Sequence, residues 1–134
     1  MPQGAVEAAP VLVRGRGPST AARVARLVRE AALAVEGVAA TSAGRLGRQG
    51  TPDRGEVIPG VVATALREGY ELSLHLVAEP VPLYALADRL RAEVRARVAA
   101  ELPEVALGPI SIAFEDVAEP GLARLAPGGR SGER

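Results

Sequence analysis

Chemistry in a protein needs nucleophiles, bases, metal ligands or phosphate cradles at workable spacings, and this chain is sparing with all of them. His75 is its single histidine and cysteine is absent. Multi-histidine metal sites, thiolate ligands, thiol nucleophiles and disulfides are therefore excluded. Ser73 stands two residues before His75 in Tyr70-Glu71-Leu72-Ser73-Leu74-His75-Leu76, where apolar and polar side chains alternate with the period of a half-buried strand. Both side chains thus share one strand face, where an imidazole can act as base toward a hydroxyl nucleophile. Such a pair also needs an orienting carboxylate and an oxyanion site. Glu71 and Glu79 lie on that face too, but nothing in the sequence marks them for the work. The expectation is an ordinary strand histidine and no catalytic residue.

Gly44-Arg45-Leu46-Gly47 matches the GxxG of KH domains, where the loop clamps backbone phosphates, and Arg45, Arg48 and Arg54 supply suitable charge. That motif belongs between two helices, however, and here it falls between two predicted strands. No aromatic side chain stands ready to stack a base. A KH-like nucleic-acid module using the Arg-rich loop 44–54 is therefore the alternative reading. No GxxxxGK[ST] or GxGxxG sequence occurs, so nucleotide loops find no support. Glu115, Asp116 and Glu119 form a small acidic cluster that reads as a solvated strand end rather than a metal site. No cofactor and no metal are expected.

The elements that must position these residues are set by composition and period. At 134 residues the chain is long enough for one core. Its apolar content is 48%, much of it Ala and Val, with Tyr70, Tyr84 and Phe114 as the only aromatics, so the core must be thin. Sixteen Arg balance sixteen acids without any Lys. Residues 1–54 hold eight Arg against four acids, and the remainder eight against twelve. That asymmetry is weak beside a dedicated nucleic-acid domain and reads as a solvated surface.

Residues 1–18 read as a flexible arm, 19–118 as the folded domain and 119–134 as a disordered tail. Ser19 or Thr20 caps a first helix whose stripe is Val24, Leu27, Val28, Ala31, Ala34 and Val35, followed by Gly37. Val38 to Ser42 is a short strand, 43–55 a loop, and Val61 to Leu66 a second strand, turned at Arg67-Glu68-Gly69 into the strand that carries His75. After Pro80 and Pro82 the period changes. Leu83, Leu86, Ala87, Leu90, Val94, Val98 and Leu102 form the stripe of a second helix, with Glu93 and Arg97 at the favourable i, i+4 spacing. A Gly108-Pro109 turn leads to a last strand through Ile110, Ile112 and Phe114. The predicted fold is a small single α+β domain of order α-β-β-β-α-β, a mixed sheet with two helices on one face. The other face presents Glu71, Ser73, His75 and Val77 as a partner surface. No apolar run reaches the ~18 residues of a membrane span, and the N-terminus lacks the basic-then-apolar layout of a signal peptide, so a cytoplasmic protein is expected.

Val35-Glu36-Gly37-Val38-Ala39, the loop and Val/Leu hairpin after it, Tyr84-Ala85-Leu86-Ala87-Asp88-Arg89-Leu90-Arg91-Ala92-Glu93-Val94, and Ile110-Ser111-Ile112-Ala113-Phe114-Glu115-Asp116-Val117 together resemble the alkaline-shock-protein family of bacterial envelope stress proteins. The likeness covers about residues 19 to 118 and rests on packing signatures. It departs from the family pattern at Pro80-Val81-Pro82, where a Gly-containing entry to the helix is usual, and at 103–108, where a Thr-Gly turn is common. The resemblance implies a non-enzymatic cytoplasmic adaptor or scaffold in cell-envelope stress homeostasis. Such a protein associates with itself and is held at the inner face of the membrane by a small membrane-anchoring protein.

Overall fold

Regular structure begins at Ser19, whose Oγ accepts the Ala22 N–H at 3.1 Å and satisfies one free donor of the first turn. The computed structural model describes residues 19–44 and 47–119. The expected N-terminal arm, and all of the expected tail but residue 119, lie outside them. Helix α1 spans Thr20–Leu33. Val24, Leu27, Val28 and Ala31 of the expected stripe are buried, joined by Ala22, Ala25 and Ala32. The helix stops with Ala34 as its C-cap, so Ala34 and Val35 fall outside the stripe assigned to them.

The strands are β1 (Val38–Thr41), β2 (Gly50–Asp53), β3 (Glu56–Pro59), β4 (Val61–Leu66), β5 (Gly69–Ala78) and β6 (Leu107–Val117), with helix α2 (Leu83–Glu101) between the last two. β5 is the axis of the sheet. β6 runs parallel along one side of it, as the βαβ connection through α2 requires. Antiparallel β4 covers the first part of its other side, and antiparallel β1 the last residues. The main sheet thus follows the expected α-β-β-β-α-β order in a small α+β domain. Leu72, Leu74, Leu76 and Ala78 of β5 form one core with the buried faces of both helices, so both helices lie on one side. Each of those three leucines contributes about 1.5–3 kcal/mol by leaving water.

The helices run antiparallel. Arg23 meets Glu104, just past the end of α2, at 3.8 Å and Glu30 meets Arg97 within it at 3.5 Å, contacts that advance along α1 while receding along the chain of α2. Arg97 also pairs with Glu101 one turn on at 3.0 Å, in place of the expected Glu93. Farther along, Arg91 Nε donates to the Ile110 carbonyl at 3.1 Å and Arg95 Nη2 to that of Gly108 at 3.0 Å. These arginines occupy acceptors of β6, which pairs with β5 alone among the described strands. Occupied acceptors cannot recruit a stray strand.

Two expectations change. Gly108-Pro109 is no turn but part of β6, at a register irregularity between the Tyr70/Leu107 and Leu72/Ile110 pairs. Within the expected loop 43–55 begins a further hairpin, β2–β3, in register from Gly50/Pro59 to Asp53/Glu56. Its two-residue turn is Arg54-Gly55, with φ of 53° and 88°, the positive pair that matches strand twist. Pro52, Pro59 and Gly50 disguise it, because prolines and glycines normally argue against strands. Thr51 fastens it to the main sheet. Its buried hydroxyl donates to the Val61 carbonyl at 2.7 Å and accepts the Ala63 N–H at 2.9 Å.

Candidate functional site

The odd-numbered residues of β5 point away from the helices. Glu71 is exposed, while Ser73, His75 and Val77 are half-buried, and all four share one face as the alternation predicted. Register sets Val62 and Ser111 beside Ser73, and Ala113 beside His75. These small neighbours leave the imidazole room to lie along the sheet.

His75 is also where the edge opposite β6 changes hands. Its carbonyl accepts the Ser42 N–H at 2.7 Å as β1 ends, and its N–H donates to the Gly60 carbonyl at 2.8 Å as β4 is about to begin. The excursion through β2–β3 therefore leaves and returns at one residue. Gly60 makes the return possible. It has φ of 83°, and a Cβ there would stand 2.5 Å from Thr41 Cβ and 3.0 Å from the His75 carbonyl oxygen, a conformation and a space that only glycine tolerates.

Across the sheet, Leu76 pairs with Phe114 and Val77 with Asp116, so Glu115 is the extra residue of a β-bulge. Bulges re-aim side chains. Here Glu115 Oε2 lies 2.8 Å from His75 Nδ1, and Oε1 accepts the Ser42 hydroxyl at 2.9 Å. On the other side of the ring, Ser73 Oγ is 3.1 Å from His75 Nε2. The hydrogen bonds from Ser42 and His75 pull the Glu115 carboxyl below its ordinary value of 4.5 and hold it ionised. An ionised carboxylate only accepts, so Nδ1 carries a ring proton, and in the neutral imidazole Nε2 is then the nitrogen that accepts from Ser73. With 14% of the His75 side chain and 30% of the Glu115 side chain exposed, the chain of contacts is partly shielded from water. Serine on Nε2 and carboxylate on Nδ1 is the order of a base-activated hydroxyl.

Sequence reasoning paired Ser73 with His75 but looked for a carboxylate at Glu71 and Glu79, reading Glu115 only as part of an acidic strand end and giving Ser42 no role. The carboxylate arrives from a strand forty residues away through a parallel register and a bulge. The periodicity of β6 foretells neither.

The other candidates do not converge. Gly44 and Gly47 have left-handed φ of 79° and 69° and close a turn in which the Gly47 N–H donates to the Gly44 carbonyl at 3.2 Å. This turn lies between β1 and β2, as expected, not between helices. Arg45 is outside the described residues. Arg48 precedes β2 and Arg54 follows it, so a strand of ~13 Å separates them. Arg54 moreover faces Asp53 at 3.6 Å. Arg26 and Asp53 form an ion pair beside a cleft of about 250 Å3 that Arg29, Glu30 and Glu56 also line. Asp53 is buried, and its Oδ1 has no hydrogen-bond partner. The pair ties α1 to the β2–β3 hairpin. Among the described residues no group of three or more metal-ligating side chains is assembled, and no helix is long and apolar enough to cross a membrane.

No family model and no curated protein matches the chain. Among solved structures, a double mutant of MamM-CTD aligns with a TM-score of 0.46 and 16% identity, covering 85% of this chain and 100% of that one. That likeness is too slight to carry a statement about fold or function.

Proposed function

We propose that the chain is a non-enzymatic adaptor of the alkaline-shock type, acting in cell-envelope homeostasis. It associates with itself and is held at the cytoplasmic face of the membrane by a small membrane-anchoring protein. The observation that carries this reading is the sidedness of the domain. Both helices pack on the inner face of the sheet, while Glu71, Ser73, His75 and Val77 line a face with no covering layer among the described residues. A sheet face whose side chains are mostly half-buried and held at fixed register suits a protein partner, because little side-chain entropy is lost on contact. The sequence resemblance over residues 19 to 118 supports the family.

A tagged full-length chain recovered from native cells, separated into membrane and soluble fractions, tests the reading. Copies of the chain together with a small membrane protein in the membrane fraction are expected. Glu71→Lys combined with Val77→Glu should disperse them, since the first reverses a charge on the proposed contact face and the second adds one. A persistent monomer confined to the soluble fraction would overturn the proposal. So would recovery with RNA that is lost at high salt, which is the signature of phosphate contacts by Arg48 and Arg54.

A further inference from the structure

We propose that Ser73 is a covalent modification site, its hydroxyl accepting an acyl group from an activated acyl ester with His75 as base and Glu115 as the residue that positions the imidazole. The inference does not depend on the adaptor reading. It rests on the contacts of the outer sheet face, with Ser73 Oγ 3.1 Å from Nε2 and Glu115 Oε2 2.8 Å from Nδ1. Ser42 holds the second carboxylate oxygen at 2.9 Å, so the carboxylate cannot swing off the ring without losing a further bond.

In the reaction the Ser73 oxygen attacks the acyl carbonyl carbon while its proton passes to His75 Nε2. The bond from that carbon to the leaving oxygen or sulfur then breaks, and the leaving group takes the proton from Nε2. The products are an ester on Ser73 and a free alcohol or thiol, with the imidazole neutral again. No electrons are gained or lost. Ser111 and Val62 flank Ser73, and Ala113 flanks His75, so a short acyl group meets small neighbours. The extent of reaction follows from the strand. β5 is laddered on both sides, which leaves its N–H groups engaged and unable to cradle a tetrahedral oxyanion. Acylation is therefore slow beside that of a hydrolase, and the ester accumulates because an alkyl ester on Ser73 is less activated toward attack than the acyl donor, with no oxyanion cradle to make up the difference. The site is stoichiometric.

The test uses the full chain and p-nitrophenyl acetate in mildly alkaline buffer. Intact mass and peptide mapping should find a single acetyl on Ser73, formed ~100-fold faster than on the guanidinium-unfolded chain, the scale of general-base assistance. Ser73→Ala should remove it, and His75→Gln should slow it by a similar ~100-fold with the circular dichroism spectrum unchanged. Glu115→Gln can offer an amide N–H to Nδ1 and so reverse the tautomer, blocking Nε2. It should slow the reaction and also displace its pH profile, which a mere loss of packing would not do. The other charged groups toward this face are Glu71 of β5, Glu79 just beyond it and Asp116 of β6, which pairs with Val77, while Ala40 of β1 and Val62 and Thr64 of β4 carry none. None of the three touches the ring, so Glu71→Gln and Glu79→Gln should leave that profile in place. Acetylation spread over other hydroxyls or the amino terminus, equal rates on folded and unfolded chain, or indifference to His75→Gln would each overturn the proposal.

Discussion

Leu72, Leu74 and Leu76 on the inner face of β5 keep 0% of their surface, whereas Ser73 and His75, one step out of phase, keep part of theirs and bond to each other. One strand thus presents two chemistries at a spacing of a single residue. The inner face draws its energy from area removed from water, a term that needs no direction. The outer face depends on three polar contacts that hold only at fixed distances, and such contacts add little net stability each. The difference teaches that stability and chemistry are separable here. Removing an inner side chain should threaten the fold, while removing an outer one should change chemistry and leave the fold standing.

The hardest blow to that comparison is Leu74→Ala. Its cavity would open at the centre of the core, between the helices and the sheet, where neighbours cannot collapse fully. A loss of about 2–5 kcal/mol is expected in urea unfolding, against less than about 1 kcal/mol for Val77→Ala on the outer face. Equal losses would mean that the outer face is covered in solution and would redirect attention to its partner. Thr51→Val asks a milder question, because it keeps the shape and deletes the hydroxyl that serves both Val61 and Ala63. Two edge groups of β4 lose their partner, so about 1–3 kcal/mol should disappear in thermal unfolding. A neutral outcome would show that the β2–β3 hairpin is held by its apolar contacts and the Arg26–Asp53 pair.

Much of this architecture is legible in the sequence for a physical reason. A strand buried on one face must alternate, and a helix buried on one side must repeat at three and four residues, so α1, α2, β5 and the 110–115 part of β6 announce themselves. The β2–β3 hairpin does not. Its attachment comes from a side-chain hydroxyl that stands in for a strand, and its turn is made by an arginine and a glycine at left-handed φ, neither of which has a period. Half of the candidate site is hidden in the same way. Ser73 and His75 are neighbours on one strand and can be paired by eye. Glu115 requires knowing which residue of β6 bulges, and Ser42 requires knowing that β1 ends beside His75. Register is a tertiary fact.

The helix layer has its own solvent side, and Arg97 samples it. Its guanidinium bridges Glu101 within α2 and Glu30 of α1, partly in water, so Arg97→Ala should cost about 0.5 kcal/mol and less at high salt. A larger loss that resisted salt would place the helix–helix seam among the supports of the fold, alongside the inner face.

The smallest expected effect is the most diagnostic of the outer face. Ser42 and His75 hold the Glu115 carboxyl below its ordinary value of 4.5, so folding favours the ionised form. A carboxyl depressed in the folded state contributes stability in full above its unfolded pKa and loses it as pH falls through the folded one. The thermal midpoint of the wild-type chain should therefore exceed that of Glu115→Gln at neutral pH by a small constant margin. The margin should begin to shrink near pH 4.5 and level off below the folded pKa, where both chains carry a neutral side chain at position 115. His75→Gln should weaken the same dependence without abolishing it, because the hydrogen bond from Ser42 is the larger of the two influences on the carboxyl. Parallel curves for wild type and Glu115→Gln through the acid range would mean that the carboxylate is not held on the ring in solution. The outer face would then be a passive surface, and the contrast with the buried leucines would reduce to exposure alone.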